Sequence, residues 1–137
     1  MKHTKIFSTL LLLALAFTSY SQDTKKFIAE IEQAYKLIEG TNYLANECEC
    51  TNENYAEFLK DGNGKNLVYT YDSTGWNMKA YFPTYVSFNE PMMAVYSWHN
   101  KYKTYPVVNV NYESAVAYCA WLTEKYNSSD GRKYKKV

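Results

Sequence analysis

Two residue types that carry much of protein chemistry are scarce in this sequence: histidine occurs twice and cysteine three times in 137 residues. His3 sits in the N-terminal segment, which leaves His99 alone. A lone histidine with no acid or nucleophile beside it makes no triad, so His99 reads as a surface or interface ring. Cys48 and Cys50 form a C-x-C pair with no histidine at a ligand-like spacing, which argues against a zinc or copper centre. The pair would lie on one side of a strand, too far apart along it for an easy mutual bridge. A bridge from either to Cys119 stays open in an oxidising compartment; otherwise Cys119 serves as a small hydrophobe on a helix. Charge of one sign is also lacking. The formal net charge is +1, which argues against nucleic acid or an anionic membrane as the main partner. Late acidic ligands are missing after Asp61-Gly62-Asn63-Gly64, so that segment is a hairpin turn rather than a calcium loop.

Long apolar runs are missing too. The one candidate, Ile6 to Phe17, is shorter than the roughly 20 residues a membrane span needs. Preceded by Lys2 and Lys5 and followed by Ser19-Tyr20-Ser21, it reads as a secretory signal peptide over residues 1–21, cleaved before Gln22. No cysteine follows the cleavage site, so no lipid anchor is expected. Removal of those 21 residues leaves 116, with 13 basic and 14 acidic side chains and a formal charge of −1. The product is expected to be periplasmic, outer-membrane-associated or secreted.

What the chain does have is tyrosine, 15 in all, beside 3 tryptophans. Such side chains bury an apolar body and keep a polar handle, so a tyrosine-rich core or binding face is expected in a single domain of this length. An amphipathic helix is expected over residues 22–40, with Asp23 as cap, Phe27, Ile31, Tyr35 and Ile38 on one face, and Gly40 as terminator. Tyr43 to Cys50 reads as a strand. Thr51 or Asn52 then caps a second helix whose buried stripe is Tyr55, Phe58 and Leu59. After the turn at residues 61–64, residues 66–71 alternate as a strand. From Asp72 to Thr104 the periodicity is lost and rings are scattered: Trp76, Tyr81, Phe82, Tyr85, Phe88, Tyr96, Trp98 and Tyr102. Loops this long are functional or packed by their own side chains.

The most ordered stretch is Tyr105 to Leu122. Val107 to Val110 suit a half-buried strand entered at Pro106. Asn111 is placed to cap a helix, and Ala115, Tyr118, Cys119, Leu122 and Tyr126 fall on one of its faces. Asn127-Ser128-Ser129-Asp130-Gly131 closes it, ahead of a solvated basic tail.

Two of these stretches carry a family resemblance. Pro106, Val107, Val108, Val110, Tyr112, Ala115, Tyr118, Cys119 and Trp121 resemble a signature of the formylglycine-generating enzyme, or sulfatase-modifying factor, family, which usually has Trp at the Tyr112 position. Upstream, Glu49, Thr51, Asn52, Tyr55 and Phe58 resemble its E-V-T-N-x-x-Y-x-x-F segment, with Cys50 in the valine position. Phe88-Asn89-Glu90-Pro91 and Tyr96-Ser97-Trp98-His99 resemble more loosely the members associated with gliding motility and protein secretion.

The resemblance implies an α+β fold, irregular and C-type-lectin-like, with short strands, two or three helices and long aromatic loops. It covers residues 42–137 and is expected to be incomplete, because the chain stops short of the family's R-L-P-T-E-x-E-W motif. The catalytic copper-binding cysteine pair and the calcium ligands of the family lie beyond that motif, so no catalytic, cofactor-binding or metal-binding residue is expected here. The resemblance thus implies an exported, non-catalytic protein acting by binding or assembly in the cell envelope, with a partner covering the edge near Cys119 and Trp121. The alternatives are the N-terminal part of an active oxidase, completed by a C-terminal half, and a glycan-binding module using Trp76 or Trp98.

Overall fold

The computed structural model describes residues 22–72 and 95–137. The described residues are mixed α+β: three helices, a two-stranded antiparallel sheet and three short 3-10 turns. The expected signal peptide, Trp76 and the rings from Tyr81 to Phe88 lie outside them. The chain divides into two compact units, one of residues 48–124 and the other of residues up to 47 together with 125–137.

In the second of these units, helix α1 covers residues 22–34 and stops short of the expected Glu39, with Asp23 inside it rather than capping it. Strand β1 (Tyr35–Leu37) follows at once and pairs with β2 (Leu44–Asn46) in the register Tyr35 to Asn46 and Leu37 to Leu44. The turn between them explains why the helix yields. The Ile38 carbonyl accepts from both the backbone N–H (3.1 Å) and the hydroxyl (2.9 Å) of Thr41, and Ile38 N–H donates to Tyr43 O at 2.9 Å. Gly40, at φ +76°, supplies the left-handed step such a turn requires. Local side-chain bonds of this kind compete with helix continuation.

The same unit holds the C-terminal tail. Tyr126, 1% exposed, donates its hydroxyl to Glu32 Oε1 at 2.8 Å, and the same oxygen accepts from Lys133 N–H. Asn127 and the backbone of Val137 exchange two hydrogen bonds, at 2.8 and 3.2 Å. The backbone of the tail is therefore tied down, while Lys133, Lys135 and Lys136 are exposed, as expected for a solvated basic tail.

The other unit is built on α2 (Asn52–Lys60), which begins at the expected cap: Thr51 Oγ1 accepts from Asn54 N–H at 3.3 Å. Tyr55 and Phe58 turn inward and meet Tyr118 to form the core, with ring centroids 5.4 to 6.0 Å apart. Burying rings of this size stabilises by about 1.5–3 kcal/mol each. Gly62 (φ +93°) stops α2, and Asn63 Nδ2 donates to the Phe58 carbonyl at 2.8 Å.

Two expected strands do not form. After residue 62 the chain makes 3-10 turns over Asn63–Lys65 and Leu67–Tyr69, because the Asn63 and Asn66 carbonyls accept i+3 bonds and Asn66 Oδ1 takes Val68 N–H. The Asp61–Gly64 segment is thus a helix stop and not a hairpin. Pro106 forms an isolated bridge with Thr51, and residues 107–110 add only the bond from Val107 N–H to Cys50 O at 2.8 Å on that side. Asn109, in the left-handed region at φ +59°, breaks any further ladder.

Helix α3 (Tyr112–Ser128) starts as expected, with Asn111 Oδ1 accepting Ser114 N–H at 2.7 Å. Its buried face is not the expected one. Tyr118 and Tyr126 are inside, but Ala115 and Cys119 are exposed, and Ser114 is fully buried in their place. Ser114 Oγ lies 2.8 Å from Val68 O and 2.6 Å from Asn111 Oδ1, sharing its one hydrogen between them, while Asn111 Nδ2 donates to the same Val68 carbonyl at 3.0 Å. These bonds rotate the first turn so that the inward stripe runs Ser114, Tyr118, Trp121 and Leu122.

Candidate functional site

The first turn of any helix leaves backbone N–H groups without intrahelical partners. In α2 these donors fix a loop. Asn52 N–H donates to Tyr105 O and Glu53 N–H to Lys103 O, both at 2.9 Å. The Asn52 side chain, 2% exposed, adds a second clamp: Nδ2 donates to Tyr102 O at 2.9 Å and to Tyr96 O at 3.2 Å. Tyr96 hydroxyl closes the loop by donating to Pro106 O at 2.9 Å, and the Lys103 ammonium lies 3.6 Å from Glu53 Oε1. Carbonyl and carboxylate acceptors thus hold residues 96–106 against one helix end.

On that base sits a strip of rings. Tyr96, 9% exposed, stacks on Tyr102 with centroids 5.3 Å apart and planes 29° off parallel. Tyr102 meets Tyr105 edge-on at 5.5 Å, and His99 lies 6.2 Å from Tyr102 and 6.1 Å from Trp98. The outer members face water: Trp98 is 70% and Tyr105 49% exposed. A 3-10 turn over Asn100–Tyr102 sets the spacing, and His99 caps it by accepting Lys101 N–H on Nδ1 at 3.1 Å. That bond leaves Nε2 to carry the ring proton when His99 is neutral. The Lys101 ammonium lies 5.6 Å from the centre of the Tyr102 ring.

The remaining motif residues belong to the core or lie at the surface apart from the strip. Trp121 packs on Phe58 and Tyr118, 5.7 Å from each, and its Nε1–H donates to Asp61 Oδ2 at 2.9 Å. Tyr55 hydroxyl donates to the Tyr69 carbonyl. Val107 and Val110 pack against the core, while Val108 is half-buried and Glu49 exposed. Spacing alone does not single out Asp61, Tyr71 or Ser114, although Ser114 stands four residues before Tyr118, the interval that marks a shared helix face. Lys101 and Tyr105 join the strip only through the fold.

The cysteines do not converge on a reactive centre. Cys50 is half-buried against the core and its thiol lies 3.6 Å from Thr51 O; burial first, and nearby Cys119 second, push its pKa up, against a bond from Tyr118. A thiol kept protonated is a poor nucleophile and metal ligand. Cys48 and Cys119 are exposed, and among the described residues no disulfide joins the three. Nor do three or more His, Cys, Asp or Glu side chains come together among the described residues.

Three buried polar atoms have no hydrogen-bond partner among the described residues: Asn52 Oδ1, Tyr71 Oη and Asn109 Nδ2. Burial, with Tyr55 and Cys50 nearby, raises Tyr71 to about 12. None of the helices in the described residues is long and apolar enough to cross a membrane.

The family model for the sulfatase-modifying factor enzyme 1-like domain matches residues 10–134. No curated protein and no solved structure matches the chain.

Proposed function

This chain belongs to the sulfatase-modifying factor enzyme 1-like family, and from that premise we propose that it is an exported, non-catalytic member acting by binding or assembly in the cell envelope. One observation carries the reading: the buried Asn52 clamps the loop that presents the exposed rings of Trp98 and Tyr105, while the cysteines stand in structural or surface positions. Rigid aromatic side chains supply contact area at little entropic cost, which suits binding. A cysteine oxidase instead needs activated thiolates or a metal held by a supporting shell. Export rests on the N-terminal pattern of residues 1–21. A role in gliding or secretion rests on the looser likeness at Tyr96-Ser97-Trp98-His99.

The test has two arms. The purified chain is incubated with a cysteine peptide and air, and the peptide is analysed by mass spectrometry for formylglycine; none is expected, and conversion overturns the non-catalytic reading. Cells are fractionated and the N-terminus of the native product is sequenced. Recovery in the envelope or medium with Gln22 first supports export, and a cytoplasmic product retaining Met1 overturns it.

A further inference from the structure

The surface strip over residues 96–105 has an unusual make-up. Between Tyr96 and Tyr105 stand only Ser97, Trp98, His99, Asn100, Lys101, Tyr102, Lys103 and Thr104, without one aliphatic side chain. A peptide-binding groove needs apolar pockets to seat side-chain anchors. This strip offers ring faces bordered by hydrogen-bonding groups: hydroxyls, an imidazole, a carboxamide and ammonium groups. A pyranose presents the same pairing from its side, a face of C–H bonds edged with hydroxyls.

Charge narrows the partner. Lys103 is matched by Glu53 at 3.6 Å, and Lys101 rests beside the Tyr102 ring. So little net positive charge is compatible with a neutral sugar or a uronic acid, and too little for a polyanion such as nucleic acid. The strip is also built in advance. The Tyr96 and Tyr102 carbonyls are held by the buried Asn52 amide, so binding orders little new backbone.

We propose that the Trp98–Tyr105 strip is a carbohydrate-binding surface, with the exposed rings of Trp98 and Tyr105 each stacking on a sugar and His99 and Lys101 bonding to hydroxyls or carboxylates. The inference deepens the binding role proposed above and rests on it.

The experiment measures tryptophan fluorescence and native gel retardation of the purified protein with four probes: cellohexaose, xylohexaose, chitohexaose and polygalacturonate. At least one sugar should bind, and Trp98→Ala and Tyr105→Ala should each weaken it tenfold or more. Tyr112→Ala, also on an exposed ring, should leave affinity unchanged, and circular dichroism checks that each variant folds. Preference for polygalacturonate over the neutral sugars, lost in Lys101→Gln, identifies the acidic class; equal binding identifies the neutral one. No binding to any probe overturns the inference. So does binding that survives both ring substitutions, or capture of a proline-rich peptide in place of the sugars. In those cases envelope recovery, measured separately, still decides the broader reading.

Discussion

Replacing Asn52 tests the support on which the site rests. Its amide donates to two backbone carbonyls, Tyr102 O at 2.9 Å and Tyr96 O at 3.2 Å, and the side chain is 2% exposed. Asn52→Ala removes both bonds and leaves the carbonyls without this donor, at about 1–3 kcal/mol for each group left unsatisfied. The Tyr102 contact is less deeply buried, so a total of about 2–4 kcal/mol is expected, and a fall in Tm of roughly 10–20 °C for a chain this size. Asn52→Asp keeps the shape but turns an acceptor toward two acceptors. At neutral pH it should cost at least as much as alanine. Protonation restores one donor, so the buried carboxyl is raised in the folded state; the part of its cost due to the charge is absent below the unfolded pKa near about 4 and grows as pH rises. Urea unfolding of wild type and both variants gives the energies. Amide exchange at Asn52 and Glu53, which donate to Tyr105 O and Lys103 O, reports whether the loop lets go. A loss under about 0.5 kcal/mol with both amides still protected refutes the clamp.

The remaining predictions concern groups around the core and tail. Tyr71→Phe removes a buried hydroxyl that has no hydrogen-bond partner among the described residues, so stability should hold or rise by about 1 kcal/mol; a loss above that exposes a missing partner. Because Tyr71 is raised to about 12, the unfolded chain releases its phenolic proton first, and stability should fall as pH rises from about 10 toward about 12. Tyr71→Phe should flatten that slope in unfolding titrations, with a residual slope from Tyr55, Tyr96 and Tyr126, which are also raised. Iodoacetamide at mildly alkaline pH should label the exposed Cys48 and Cys119 before Cys50, whose thiol is buried and raised; peptide mapping that finds Cys50 first contradicts the assigned environment. Glu32→Ala removes the shared acceptor of Tyr126 and Lys133, at about 1.5–3 kcal/mol. Trypsin should then cut around Arg132 and Lys133 at least tenfold faster, and Glu32→Gln, which keeps an acceptor, should recover much of the protection.

Much of the local structure could be read from neighbours in sequence. Thr51 and Asn111 are capping residues, and a cap acts within three residues of itself; both helices begin where those side chains predict. Tyr55 and Phe58 stand one turn apart and are buried together. The scarcity of histidine and cysteine, and the order of the two family-like stretches, also needed no coordinates.

What the sequence left open was decided by partners far along the chain. The periodic pattern of α3 turned Ala115 and Cys119 inward, whereas the folded helix turns Ser114 and Trp121 that way. The Ser114 hydroxyl settled it by reaching Val68 O, 46 residues away. The pattern over residues 23–39 suited a helix throughout, but the Ile38–Thr41 bonds and the β1–β2 pairing drew its last turn into a hairpin. Asn52 shows both levels at once. Its place beside the cap is local, yet its amide reaches carbonyls 44 and 50 residues on. Periodicity specifies which side chains can share a face; only the tertiary structure decides which buried donors and acceptors must meet, because an unpaired polar group in the core costs more than a local preference gains.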